Sequence, residues 1–104
     1  MSKPPHPASL FALEREMGYS LRVFLEQLPA ALSDYDFQIR PGLVSVKLGA
    51  GRAQIHLGEE RERRFTELVR FPVLPVSIEF ENVDPDTQTQ FMECFDRSYM
   101  KGLG

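Results

Sequence analysis

Residues 35–57, YDFQIRPGLVSVKLGAGRAQIHL, decide the fold. Apolar residues fall on every second position. Tyr35, Phe37 and Ile39 alternate with Asp36, Gln38 and Arg40; Val44, Val46 and Leu48 with Ser45 and Lys47; Ala53, Ile55 and Leu57 with Arg52, Gln54 and His56. A period of two marks a strand with one face buried and the other wet. Pro41-Gly42 and Gly49-Ala50-Gly51 supply the turns between the runs, and loops this short join only antiparallel neighbours. Three consecutive antiparallel strands are therefore predicted.

Downstream, Gly58 and the charged run from Glu59 to Arg64 read as an exposed loop, and Phe65 to Phe71 as a further strand. Pro72 and Pro75 cannot donate to a ladder and are expected to flank a break. Val76, Ile78 and Phe80 alternate with Ser77, Glu79 and Glu81 in a last strand. Asp84-Pro85 then sets a capping carboxylate ahead of a proline at the first helical position, with Asp86 adding negative charge near the positive end of the dipole. Gln88, Phe91, Met92, Phe95 and Tyr99 recur on one helical face, and Gly102 and Gly104 close it.

Upstream of Ser33 the period is about 3.6. Leu10, Leu13, Met17, Leu21, Phe24, Leu25, Leu28 and Leu32 form one apolar stripe behind a cap at Ser9. One helix carries it, or two, Ser9 to Met17 and Leu21 to Leu32, with Gly18 as the break and Ser20 as the second cap. Pro29 places a kink or an end near Leu28. Pro4, Pro5 and Pro7 around His6 make residues 1–8 a flexible, Pro-rich arm, which leaves 9–104 as a single domain.

The expected fold is α+β: a two-layer sandwich whose mostly antiparallel sheet of four to five strands carries the N-terminal and C-terminal helices on one face. The opposite face then presents Gln38, Arg40, Ser45, Lys47, Arg52, Gln54, His56, Ser77, Glu79 and Glu81 to water or to a partner.

The chain has 104 residues, with 12 Lys plus Arg against 15 Asp plus Glu. That length suits one domain, which buries roughly 60–70% of its unfolded surface without staples. A net charge of −3 argues against a dedicated nucleic-acid binder, because phosphate neutralisation needs a cationic surface. The single cysteine, Cys94, forms no intramolecular disulfide, so the reducing cytoplasm is the expected compartment. No apolar run is long enough for a signal peptide or a membrane span.

The catalytic inventory is thin. The histidines are His6 and His56. Cys94, between Met92 and Phe95, reads as a small half-buried hydrophobe with no cation placed to activate it beyond Arg97. His56 with Glu59 and Glu60 lacks a second histidine and any specific ligand spacing. Glu79 and Glu81 are explained by cross-strand ion pairing. Gly49-Ala50-Gly51-Arg52 joins two strands, whereas phosphate loops join a strand to a helix N-terminus. No enzyme and no cofactor is expected.

Charge is unevenly distributed. Residues 1–39 carry net −2, residues 40–70 net +3 and residues 71–104 net −4. Arg40, Lys47 and Arg52 on the polar face, with Gln54 and His56, are the candidate binding residues, and Arg61, Arg63 and Arg64 lie in the adjoining loop. Their competing role is to pair with Glu79, Glu81 and Glu67. No aromatic residue interleaves with them, which removes the stacking platform of a single-strand nucleic-acid sheet. Phe11, Tyr19 and Val23 lie off the main helical stripe and are expected to stay exposed or meet another subunit.

The leading expectation is a non-enzymatic interaction or accessory module, acting through the open polar sheet face or by self-association as a homodimer. The alternative is a domain that binds a small anionic or apolar ligand through the sheet-face cations.

Overall fold

The computed structural model describes residues 11–103, with side chains from 13 to 99. The order is β1 (Phe11–Met17), α1 (Leu21–Ala31), β2 (Phe37–Arg40), β3 (Leu43–Leu48), β4 (Gly51–Leu57), β5 (Arg61–Arg64), β6 (Arg70–Glu81) and α2 (Pro85–Leu103). All pairings are antiparallel, the sheet runs β1-β6-β4-β3-β2, and β5 pairs with the first residues of β6. Both helices cover the same sheet face, which makes the molecule a two-layer α+β fold.

The alternation over 35–57 translates directly into register. Phe37, Val46, Ala53 and Phe80 sit side by side on the helix-covered face, whereas Gln38, Ser45, Gln54 and Glu79 form a row on the other. Gly42 and Gly49 adopt φ of 74° and 60°, the left-handed conformation their turns require. Phe24 of α1 stacks on Tyr99 of α2 at 4.8 Å, and Phe91, Phe95 and Phe80 complete a fully buried aromatic layer. Buried aromatic pairs of this kind are worth about 0.5–1.5 kcal/mol beyond their area.

α1 begins where a cap exists. Ser20, in extended conformation, accepts from the Val23 N–H at 3.2 Å, and Glu60 from the β4–β5 loop accepts from the Leu21 N–H at 2.9 Å. Pro29 lies in the last turn, and α1 ends two residues later with the Leu32 N–H on the Leu28 carbonyl. α2 starts as expected: Asp84 accepts from the N–H and hydroxyl of Thr87 at 3.1 and 2.7 Å.

Three sequence expectations need correction. Residues 11–17 form a strand, not a first helix; the cap expected at Ser9 and the arm 1–8 lie outside the described residues. Leu13, Arg15 and Met17 are partly buried and Glu14 and Glu16 exposed, so the period is two. Arg15 hid it, because its guanidinium takes an inward position to make paired hydrogen bonds to both carboxylate oxygens of Asp96 on α2.

The loop and strand expected over 59–71 exchange places. Arg61–Arg64 pairs with β6, while 65–69 is the turn: the Thr66 hydroxyl accepts from the N–H groups of Leu68 and Val69, and the Phe65 N–H donates to Val69. A charged run extends here because Arg61 and Arg63 both find Glu16.

Nor do the two prolines break the last strand. The Pro75 carbonyl accepts from Gly58 at 2.8 Å, so its missing N–H also points to that side, beyond the end of β4. Counting back in twos from the bonded pair Phe65–Val69, Pro72 faces Glu62 in a non-hydrogen-bonded pair, where no donor is missed. Among the described residues, no helix is long and apolar enough to cross a membrane.

Candidate functional site

The sheet face away from the helices carries the polar phase of β2, β3, β4 and β6, and β1 extends it with Glu14 and Glu16. Its cations are largely answered. Arg52 meets Glu81 at 3.0 Å, and His56 Nε2 lies 3.2 Å from Glu79. Arg40 donates to Gln38 at 3.3 Å. Lys47 sits opposite Arg52 in register and, among the described residues, has no carboxylate within ion-pair reach.

The five candidate binding residues do not converge on one cleft. Lys47 and Arg52 border an open concavity of about 470 Å³ with Asp36, Gln38, Ser45 and Glu81. His56 lines a second, of about 530 Å³, with Glu14, Glu16 and Ser77. Gln54 lies in the strand between them, and Arg40 borders neither. Apart from the core tyrosines, no charged or polar side chain is buried among the described residues, so neither concavity holds the desolvated group that a tight polar site needs.

The expected interface residues fare differently. Tyr19 is 6% exposed: its hydroxyl donates to the Tyr99 carbonyl and its ring packs against that of Tyr99, so it belongs to the core and offers no surface. Val23 is partly buried against the same core. Phe11 pairs with Phe80 through the backbone, and its side chain lies outside the described range.

The most exposed apolar surface lies in the hairpin formed by β5, the 65–69 turn and the start of β6. Leu68 is 93% exposed, Phe65 66% and Phe71 44%, with Val69 beside them. Phe65 and Phe71 meet edge to face at 5.1 Å. Register puts Arg61, Arg63 and Phe65 opposite Val73, Phe71 and Val69, all on the outer face; Glu62, Arg64, Arg70 and Pro72 take the other side, where Arg70 meets Glu62.

This reverses the polarity of the sheet. Along β6 the buried residues are Leu74, Val76, Ile78 and Phe80 on the helix side, but Val73 is buried on the opposite side and Phe71 follows it there. The signal in the sequence was the apolar pair Phe65 and Phe71 around an alternation of Arg and Glu. That signal is masked because a charged run of this kind has the composition of a solvated loop.

Cys94 is half-buried, with its thiol directed at the Ala31 carbonyl at 3.6 Å. Among the described residues no three His, Cys, Asp or Glu side chains gather in a metal-binding cluster. No protein-family model, no curated protein and no solved structure matches the chain.

Proposed function

We propose that the chain is a non-enzymatic protein-interaction or accessory module of the cytoplasm, with the β5–β6 hairpin as its docking element. One observation carries this reading: Phe65, Leu68, Val69 and Phe71 are exposed apolar residues gathered on one hairpin, with Phe65 and Phe71 in contact. Two-stranded ribbons are marginal by themselves, and contiguous apolar patches on small domains mark contact sites. A photo-crosslinking side chain at Leu68, compared with one at the exposed Arg22 on α1, tests it in the cells that make the protein. The expected result is a discrete polypeptide adduct from position 68 and none from position 22. Indistinguishable labelling from the two positions overturns the reading.

A second reading, a small-anion site on the sheet face, is favoured by the unanswered charge of Lys47 beside Arg52 in the concavity they border. It expects inorganic phosphate or a dicarboxylate to raise the melting temperature, and Lys47→Ala with Arg52→Ala to cancel the rise. A flat response across such a panel removes it.

A further inference from the structure

We infer that the occupant of the hairpin's apolar face is the same face of a second copy of this chain, related by a twofold axis that sets the tip of each hairpin on the base of the other. This rests on the reading of the hairpin as the docking element and goes further by naming the partner.

Charge decides between the candidate occupants. At the base of the outer face, Arg61 and Arg63 share a single carboxylate, that of Glu16, at 2.7 and 3.0 Å, which leaves one positive charge in surplus. At the tip, Glu67 has no cation within ion-pair reach among the described residues. Tip-on-base packing brings each Glu67 to the other copy's surplus guanidinium, twice by symmetry, with Phe71 between them near the axis. A twofold contact demands such a self-complementary patch.

An anionic membrane is the poorer match. Residues 59–71 hold four Arg against four Glu, and the whole chain is net −3, so headgroups gain no net attraction. The size of the patch sets the strength. At about 150–250 Å² for a whole aromatic side chain, the four residues expose roughly 400 Å² of apolar surface per copy. That is about half the ~800 Å² each partner contributes to a standard interface, which places the contact among weak, reversible associations.

Sedimentation velocity of the purified full chain, from low micromolar to near-millimolar concentration, tests the inference. The expected result is a monomer–dimer equilibrium in which Leu68→Ser and Phe71→Ser each weaken association about tenfold or more. Glu67→Arg should weaken it several-fold at low salt and less at high salt. Ile39→Ser, at an exposed apolar residue of β2, should leave it unchanged. Leu68 is almost fully exposed, so its substitution keeps the fold, and an unaltered melting temperature verifies that. A monomer throughout, or a dimer indifferent to Leu68→Ser, overturns the inference. If the chain stays monomeric while the Leu68 crosslinker still captures another polypeptide, the partner is foreign and the module reading stands. If both fail, the hairpin is no docking element.

Discussion

The Tyr19 hydroxyl donates to the Tyr99 backbone carbonyl at 2.5 Å, and the two rings meet edge to face at 5.3 Å. Tyr99 in turn donates to the Phe24 carbonyl at 2.8 Å, so one relay ties the start of α1, its interior and the last turns of α2. Tyr19→Phe is expected to cost about 0.5–1.5 kcal/mol, the net worth of one hydrogen bond. Tyr99→Ala should cost about 3–5 kcal/mol through the cavity left in the aromatic layer. Denaturant unfolding measures both. Burial also raises both phenols above their ordinary value of 10.0, Tyr99 the further. The neutral form is the one the core holds, so this stability is intact below pH 10 and falls as pH rises above it. Tyr19→Phe and Tyr99→Phe should flatten that alkaline decline.

Two glycines make a matched pair. A Cβ on Gly51 would overlap the backbone carbonyl oxygens of Glu81 and Asn82, whereas one on Gly18 meets nothing. Gly51→Ala is expected to force β4 from β6 and cost about 1–3 kcal/mol. Gly18→Ala should fall within about 0.5 kcal/mol of the parent. Equal melting temperatures for the two variants would refute the close approach of β4 to the end of β6.

Acid should loosen two exposed contacts. The Thr87 hydroxyl holds the Asp84 carboxyl below its ordinary 3.8, and the Arg61 hydrogen bond, with Arg63 assisting, holds Glu16 below 4.5. A depressed carboxylate stabilises the fold above its unfolded value, and that contribution disappears as pH falls through the folded one. The melting temperature is therefore expected to drop below about pH 4.5. Asp84→Asn and Glu16→Gln should start lower at neutral pH and show a shallower drop.

Arg15 and Asp96 join the sheet edge to α2 through two parallel hydrogen bonds in a half-exposed setting. A double-mutant cycle with Arg15→Met and Asp96→Ala should return a coupling of about 0.2–1 kcal/mol, because water still screens the pair. Arg15→Met alone should be mild, since the inward position favours an apolar stem. A coupling indistinguishable from zero would remove the pair from the forces that hold β1.

The part of the fold readable from sequence is the part where local pattern and tertiary environment agree. Residues 43–57 and 76–81 alternate because one face is packed, although Ile39 in β2 keeps the pattern while exposed, and α2 carries its cap and its aromatic stripe within its own sequence. Local pattern misleads where a long-range partner changes a residue's role. Asp96 lets Arg15 face inward, Glu16 lets Arg61 and Arg63 extend a strand, and Gly58 turns Pro75 into an ordinary strand residue. The polar sheet face was legible residue by residue from the alternation. The exposed hairpin was not, since apolar Phe65 and Phe71 look like core until register shows that no layer covers them.

The placement of β6 between β1 and β4 has a consequence for the order of events during synthesis. Among the described strands β1 pairs with residues 74–80 of β6, so a strand made early waits for the latest of them before it has a partner. Such non-local closure slows folding and leaves a nascent edge open on the ribosome. The charged sequence Glu14-Arg15-Glu16 in the middle of β1 is the composition that discourages an open edge from pairing with neighbouring chains before β6 is available.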